Sequence, residues 1–222
     1  MITIPMDVAE RIVARRMAAA GATIVRSRDP RRLPVVGLVS AANALQGTGL
    51  MSDRIESSVT VTLPGLPGFA SDVLGMIPVV GHFLSAMGRQ NGRTSVYFSP
   101  SAERDGVTYL ATAEHELGHV GSIHRGGIPY CGAYLLASEV RAGGEAPCYG
   151  LGMAVRVACG AEIEEAEAGA LESLLGYGLD AESTILARGL IQSAAETLRS
   201  TGDFGGVVEE IRRELELEGV TL

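Results

Sequence analysis

Two histidines four residues apart, with a glutamate between them, are the residues of this chain best suited to joint chemistry. They belong to the pentapeptide HELGH, residues 115–119, inside a segment whose apolar spacing predicts a helix over 107–122. Positions four apart lie about 40° from each other on one helix face, so the imidazoles of His115 and His119 can bind one metal ion. Glu116 projects about 100° farther round and can reach a water molecule beside the ion. The pentapeptide therefore predicts a metal site with Glu116 as general base.

The predicted helix has an apolar side and a polar side. Asp105 precedes it as the predicted N-cap. Its apolar stripe consists of Leu110, Ala113, Leu117 and Val120, and the histidines share the other face with Thr108 and Thr112. We therefore expect this helix to bury one side and to display the histidines.

The sequence from Thr112 to Val120 resembles the signature of zincin metallopeptidases, in which uncharged residues surround the pentapeptide. The resemblance is local and covers roughly residues 95–146, about a quarter of the chain. It implies a zincin-like α+β fold and a catalytic zinc ion. In that family a strand before the metal helix binds extended peptide along its edge, a part that the predicted strand 95–99 is placed to play.

A catalytic zinc site has three protein ligands and one open position, so a third ligand is needed. The resemblance to gluzincins, whose third ligand is a helical glutamate, favours Glu139, twenty residues after His119 on the predicted helix 129–142. The segment from Glu139 to Ala146 also resembles the E-x-x-A-D-x-x-A stretch of several gluzincin groups. Gly143 replaces the aspartate that orients a ligand histidine in those relatives, so another group has to take that role.

His124 is the main alternative third ligand. It resembles the third histidine of the metzincin pattern H-E-x-x-H-x-x-G-x-x-H, but it follows His119 one residue too early. Its other interpretation is a surface histidine near the helix C-terminus, where positive charge is favourable. Glu145, Cys131 and the absence of any third ligand remain further alternatives.

Three tyrosines that flank the predicted ligand helix and one histidine in an apolar stretch could donate a hydrogen bond to a transition-state oxyanion. They are His82, Tyr130, Tyr134 and Tyr149. A histidine in an apolar stretch is more often a satisfied core residue, and a tyrosine is more often a packing residue with a polar tip. We therefore assign none of them to the reaction.

Composition excludes several classes of function. The 222 residues are 46% hydrophobic and 20% charged, which is typical of a globular chain, and the net charge of −8 disfavours nucleic-acid binding. The uncharged stretches 33–52 and 73–88 do not reach roughly 20 predominantly apolar residues, so no membrane span is expected. Three cysteines and the lack of a visible export signal favour a cytoplasmic location, with association with a virion as the alternative.

The order of predicted elements favours an α+β fold in one domain, 1–222. Its mixed α/β portion, 1–104, contains a helix at 6–20, a possible broken helix at 69–87 and strands at 57–63 and 95–99. Its helical portion, 105–222, carries the metal helix. The further predicted helices are 129–142, 148–159, 162–176, 181–200 and 205–218.

The function expected from the sequence is that of a zinc-dependent metallopeptidase or amide hydrolase acting on a protein or peptide. Zn²⁺ bound by His115, His119 and Glu139 would polarise the substrate, and Glu116 would take the proton of the attacking water. The alternative is a structural or assembly protein, such as a virion component, that retains a zincin-like metal site without catalysis. In that case the partners are further copies or a larger assembly. A metal-binding regulator is a third interpretation.

Overall fold

The computed structural model describes residues 1–29, 62–63 and 94–221, in which six α-helices and three β-strands are found. The helices are α1 (Met6–Ala19), α2 (Gly106–Leu136), α3 (Ser138–Ala158), α4 (Ile163–Leu174), α5 (Ala181–Thr201) and α6 (Val207–Leu217). The strands are β1 (Ala22–Val25), β2 (Thr62–Leu63) and β3 (Thr94–Tyr97). The mostly helical α+β architecture is thus confirmed. The predicted helix at 69–87, most of the strand at 57–63, the stretches 33–52 and 73–88, and His82 lie outside the described residues.

The sheet has the order β1–β3–β2. Strands β1 and β3 are parallel, with Ala22 opposite Thr94 and Val25 opposite Tyr97, and β2 pairs antiparallel with β3. Every residue of β3 is buried. Because β3 is the central strand, the peptide-binding edge expected at 95–99 is covered on both sides, and that expectation was wrong.

Helix α1 holds the sheet and the helical portion together. Its buried residues recur at helical spacing and face the common core: Val8, Ala9, Ile12, Val13 and Met17. The backbone N–H of Ile2, just before the helix, donates to the carbonyl of Cys159 at the end of α3 over 2.8 Å. The first residues of the chain therefore pack against the helix that follows the metal helix.

Helix α2 begins where the sequence predicts. The Asp105 side chain accepts a hydrogen bond from the Thr108 amide at 2.8 Å, so the predicted N-cap is confirmed. The helix continues past residue 122 and has non-helical torsions at Gly127, where φ is 58°. A residue with a side chain rarely adopts that φ, so glycine permits a kink here, and the helical stretches before and after it correspond to the first two predicted helices of this portion, the second ending at Leu136 instead of 142. No helix in the described ranges is long and apolar enough to span a membrane.

Helix α3 is continuous from Ser138 to Ala158, although the sequence suggested a break between 142 and 148. Of the two glycines in this interval, Gly143 faces open space and Gly144 serves close packing, as Gly150 does farther along the helix. A Cβ on Gly144 would lie 2.6 Å from the hydroxyl of Tyr130, and one on Gly150 would lie 2.5 Å from the ring of Phe204. Pro147 is tolerated inside a helix whose other residues are fixed by contacts with its neighbours.

Candidate metal centre

Helices α2 and α3 run antiparallel at close range. A Cβ on Gly118 would lie 2.6 Å from the sulfur of Cys148, and one on Gly152 would lie 3.3 Å from the carbonyl oxygen of Ala111. Residues later in α2 therefore face residues earlier in α3. This register places Glu145 level with His119.

Three potential ligand atoms converge between these helices. The Nε2 atoms of His115 and His119 lie 3.1 Å apart. Glu145 Oε2 lies 3.2 Å from His115 Nε2, and Glu145 Oε1 lies 3.3 Å from His119 Nε2. Among the described residues, this group, which we call the triad, is the one cluster of three side chains with metal-ligand geometry.

The spacing of the triad fits a small tetrahedral ion. With zinc–ligand bonds of about 2.0–2.1 Å at tetrahedral angles, neighbouring ligand atoms lie roughly 3.3 Å apart. The two histidine nitrogens, 3.1 Å apart, and Glu145 Oε2, 3.2 Å from His115 Nε2, agree with that value, while the 3.3 Å distance to His119 Nε2 is made by the other carboxylate oxygen, Oε1. In addition, Glu145 Oε2 is buried and has no hydrogen bond of good geometry from any described residue. Two imidazoles and one carboxylate are also a donor set that zinc accepts, so the residues present fit a zinc ion.

Neither candidate favoured by the sequence as third ligand belongs to the triad. Glu139 is exposed in the first turn of α3. Six residues separate it from Glu145, which corresponds to about 9 Å along a helix axis. His124 is also exposed, and its Nε2 lies 3.1 Å from Thr94 Oγ1 of β3. The structure brings Glu145, one of the lesser alternatives, to the histidine pair.

The metal-free triad has the electrostatics of a buried ion pair. Burial by itself would lower the pKa of His119, but the Glu145 carboxylate outweighs it and raises that pKa well above the usual value. Burial would likewise raise the pKa of Glu145, but the adjacent His119 and His115 hold it well below its usual range. Glu145 is therefore an anion at neutral pH, as a ligand for a divalent cation should be.

Aromatic side chains surround the triad. The Tyr134 hydroxyl donates a hydrogen bond to Glu145 Oε1, and burial raises the pKa of Tyr134 well above its usual value. The ring of Tyr149 packs edge-on against His115 with centroids 4.7 Å apart, and Tyr177 packs behind Tyr149 at 6.1 Å. These contacts fix the directions of the ligand side chains.

The two glutamates beside His115 have different surroundings. Glu116 is 4% exposed, and its Oε1 lies 3.8 Å from His115 Nε2, on the side of the triad. Glu114 is 3% exposed and forms a paired contact with the guanidinium of Arg16, whose Nη2 lies 2.9 Å from Oε2. Arg16 also contacts Glu210 of α6 at 2.9 Å. Glu114 thus anchors α2 to α1 and α6, while Glu116 stays beside the triad.

The site is more enclosed than the sequence predicts. His115 and His119 are each 8% exposed and Glu145 is 1% exposed, so the histidines are not displayed on an open face. Sequence reasoning also gave no role to Cys148, whose sulfur lies 3.6 Å from His119 Nδ1. A cysteine one helical turn after a candidate ligand glutamate is a signal that could have found it.

Comparison with known proteins finds no family model, no curated protein and no solved structure that matches this chain. What the site can do must therefore be argued from its own chemistry.

Proposed function

We propose that this protein is a zinc-dependent hydrolase of peptide or amide bonds, with His115, His119 and Glu145 as the metal ligands. The observation that carries the proposal is the triad, in which two imidazole nitrogens and a buried carboxylate approach one another to 3.1–3.3 Å. Support also comes from the position of Glu116, a buried carboxylate next in sequence to the first ligand. The resemblance of the pentapeptide to zincins points to the same reaction class.

Each residue has a distinct task in this reaction. A zinc ion held by His115, His119 and Glu145 would supply Lewis acidity, polarising a scissile carbonyl and making water acidic enough to lose a proton near neutral pH. Glu116 accepts the proton of the attacking water and delivers it to the departing amine nitrogen. Tyr134 holds one oxygen of Glu145 and leaves the other available as a ligand.

The first test is the metal content and activity of the purified protein. We expect about one zinc per chain by elemental analysis and cleavage of a pool of quenched fluorescent peptides. Glu116→Gln keeps the shape of the side chain but cannot accept a proton, so it should retain zinc and lose on the order of 10²-fold or more in rate. Glu139→Gln, an exposed change of the same type, is the matched control and should behave like the wild type.

Three results would contradict the proposal. Folded protein without measurable zinc affinity would remove the metal site. Zinc-loaded protein in which Glu116→Gln hydrolyses peptides at the wild-type rate would remove the catalytic role of Glu116. If the Gln variant instead loses its zinc together with its activity, Glu116 is a ligand and the assignment of the triad is wrong.

A structural metal site is the second candidate, and the burial of the triad favours it. Structural zinc sites have four protein ligands, whereas only three converge here among the described residues. Cobalt substitution distinguishes the two functions, because an open fourth position accepts an added ligand. A change in the visible spectrum of the Co²⁺ protein on addition of acetohydroxamate supports a hydrolase, and an unchanged spectrum supports a structural site.

A further inference from the structure

Cys148 lies beside a part of the site that the proposed function leaves unexplained. It is on α3, three residues after Glu145, and is 2% exposed. Its sulfur lies 3.6 Å from His119 Nδ1, within the range of a hydrogen bond to sulfur. The other ring nitrogen of His119, Nε2, is the one that faces the rest of the triad. The thiol therefore contacts the far side of a ligand imidazole.

That contact matters because a histidine binds a metal only through a deprotonated nitrogen. When Nε2 of His119 is the ligand, the ring proton is on Nδ1 and needs an acceptor. Such acceptors fix both the tautomer and the orientation of ligand histidines, and they are usually carboxylates, backbone carbonyls or water molecules. Here the group at hydrogen-bond distance is a sulfur, which is a weak acceptor.

Gly118 gives independent support for this arrangement. It is the second variable residue of the pentapeptide and faces α3 directly. A Cβ at this position would lie 2.6 Å from the Cys148 sulfur, closer than real Cβ atoms approach, and 3.0 Å from Leu151 Cδ1, which is a tight contact. The absence of a side chain at Gly118 therefore gives Cys148 the space to approach the His119 ring.

We propose that Cys148 is a positioning residue, which accepts a hydrogen bond from His119 Nδ1–H and so holds Nε2 toward the metal; this inference rests on the proposed function. This acceptor lies three residues after the ligand Glu145, on the turn of α3 that faces His119.

The test compares two buried cysteines, one in the middle of α3 and one at its C-cap. Cys148→Ala removes the acceptor, whereas Cys159→Ala removes a fully buried thiol that lies at the C-terminus of α3. Competition with a chromophoric chelator should show that Cys148→Ala lowers zinc affinity by about 10- to 100-fold, the usual effect of losing such a partner. Cys159→Ala should lower stability but leave zinc affinity within about threefold of wild type, because it touches no ligand.

A second pair of variants separates the hydrogen bond from packing. Cys148→Ser retains an acceptor and should recover part of the affinity lost by Cys148→Ala, and Gly118→Ala serves as the disrupting variant if Cys148→Ala does not fold. Gly118→Ala pushes the sulfur aside and should also weaken zinc binding. In the zinc-saturated wild type, the Nδ1 proton of His119 should be visible by ¹H–¹⁵N NMR, and in Cys148→Ala its resonance should shift or be lost to exchange with water.

The outcomes distinguish this inference from the proposed function. Absence of zinc binding by the wild type overturns the metal site itself. Zinc binding by the wild type with equal affinity in Cys148→Ala overturns only the role of Cys148. Equal losses in the Cys148→Ala and Cys159→Ala variants also overturn it, because the effect would then come from lost packing.

Discussion

Replacement of Glu145 by glutamine removes the charge of this side chain while keeping its shape. In the metal-free protein the buried carboxylate lies 3.2 and 3.3 Å from the two imidazoles and accepts a hydrogen bond from Tyr134. Loss of one partner of a buried ion pair costs about 3–5 kcal/mol when the other charge stays. His119 can escape part of that cost by releasing its proton, so we expect the free energy of unfolding to fall by about 2 kcal/mol, near the value of a hydrogen bond to a charged group.

The gain in stability on addition of zinc should then distinguish Glu145→Gln from its control, Glu139→Gln. At a free zinc concentration 100 times its dissociation constant, the wild type should gain about 2.7 kcal/mol of stability. Glu139→Gln should gain the same amount, because its side chain is exposed and outside the triad. Glu145→Gln should gain nothing at that zinc concentration. Urea unfolding followed by circular dichroism, once with chelator and once with buffered zinc, measures all three.

The stability of the metal-free pair should depend on pH in a defined way. The raised pKa of His119 contributes stability that is complete below 6.5, the ordinary value, and is lost as pH rises through the folded value. The lowered pKa of Glu145 contributes stability that is present above 4.5 and is lost as pH falls. The destabilisation by Glu145→Gln in chelator should therefore be greatest between about pH 4.5 and 6.5. Zinc affinity should increase with pH, since binding requires neutral imidazoles.

Equal stabilisation of Glu145→Gln and wild type by zinc would refute the assignment of Glu145. Loss of the zinc effect in Glu139→Gln alone would restore the glutamate that the sequence favours. Both results concern binding and are independent of any substrate.

Three further predictions concern residues that support the site. Tyr134→Phe leaves Glu145 Oε1 without its donor, so zinc affinity measured by chelator competition should fall at least about tenfold; unchanged affinity would separate this tyrosine from the metal site. Asp105→Ala should lower the free energy of unfolding by about 1 kcal/mol and Asp105→Asn by much less, since asparagine also caps helices; equal losses in the two urea titrations would contradict the cap. Gly150→Ala places a Cβ 2.5 Å from the ring of Phe204 and should cost about 1–3 kcal/mol in the same assay, whereas a gain would show that this ring can move aside.

Local signals in the sequence were sufficient for the metal helix. Asp105 caps it because an aspartate at that position can accept the Thr108 amide, which depends only on neighbouring residues. The proximity of His115 and His119 follows from helix geometry in the same way. Such features involve residues within one or two turns of each other.

The third ligand depended on information that the sequence does not display. Whether Glu139 or Glu145 meets the histidines is decided by the axial position of α3 against α2. That position follows from the kink at Gly127 and from the close contact of Gly118 with Cys148. Gly144, which suggests a helix break in the sequence, is a contact point in the fold, because the same lack of a side chain serves both purposes. Similarly, His115 and His119 are buried because α3 packs against their face of α2, a contact between residues far apart in the sequence.

The Arg16–Glu114 contact has a consequence for the direction in which the metal helix faces. A helix held only by apolar contacts could rotate about its own axis at little cost. A rotation by about 100°, the angle between successive residues, would point His115 away from α3. The guanidinium of Arg16 binds Glu114 on one side of α2 and also contacts Glu210 of α6. These ion pairs therefore fix the rotation of α2 about its own axis. A shortened chain beginning after α1 would keep all three ligands of the triad but lose the ion pairs of Arg16. Any reduced form of the protein made for biochemistry should therefore retain the first twenty residues.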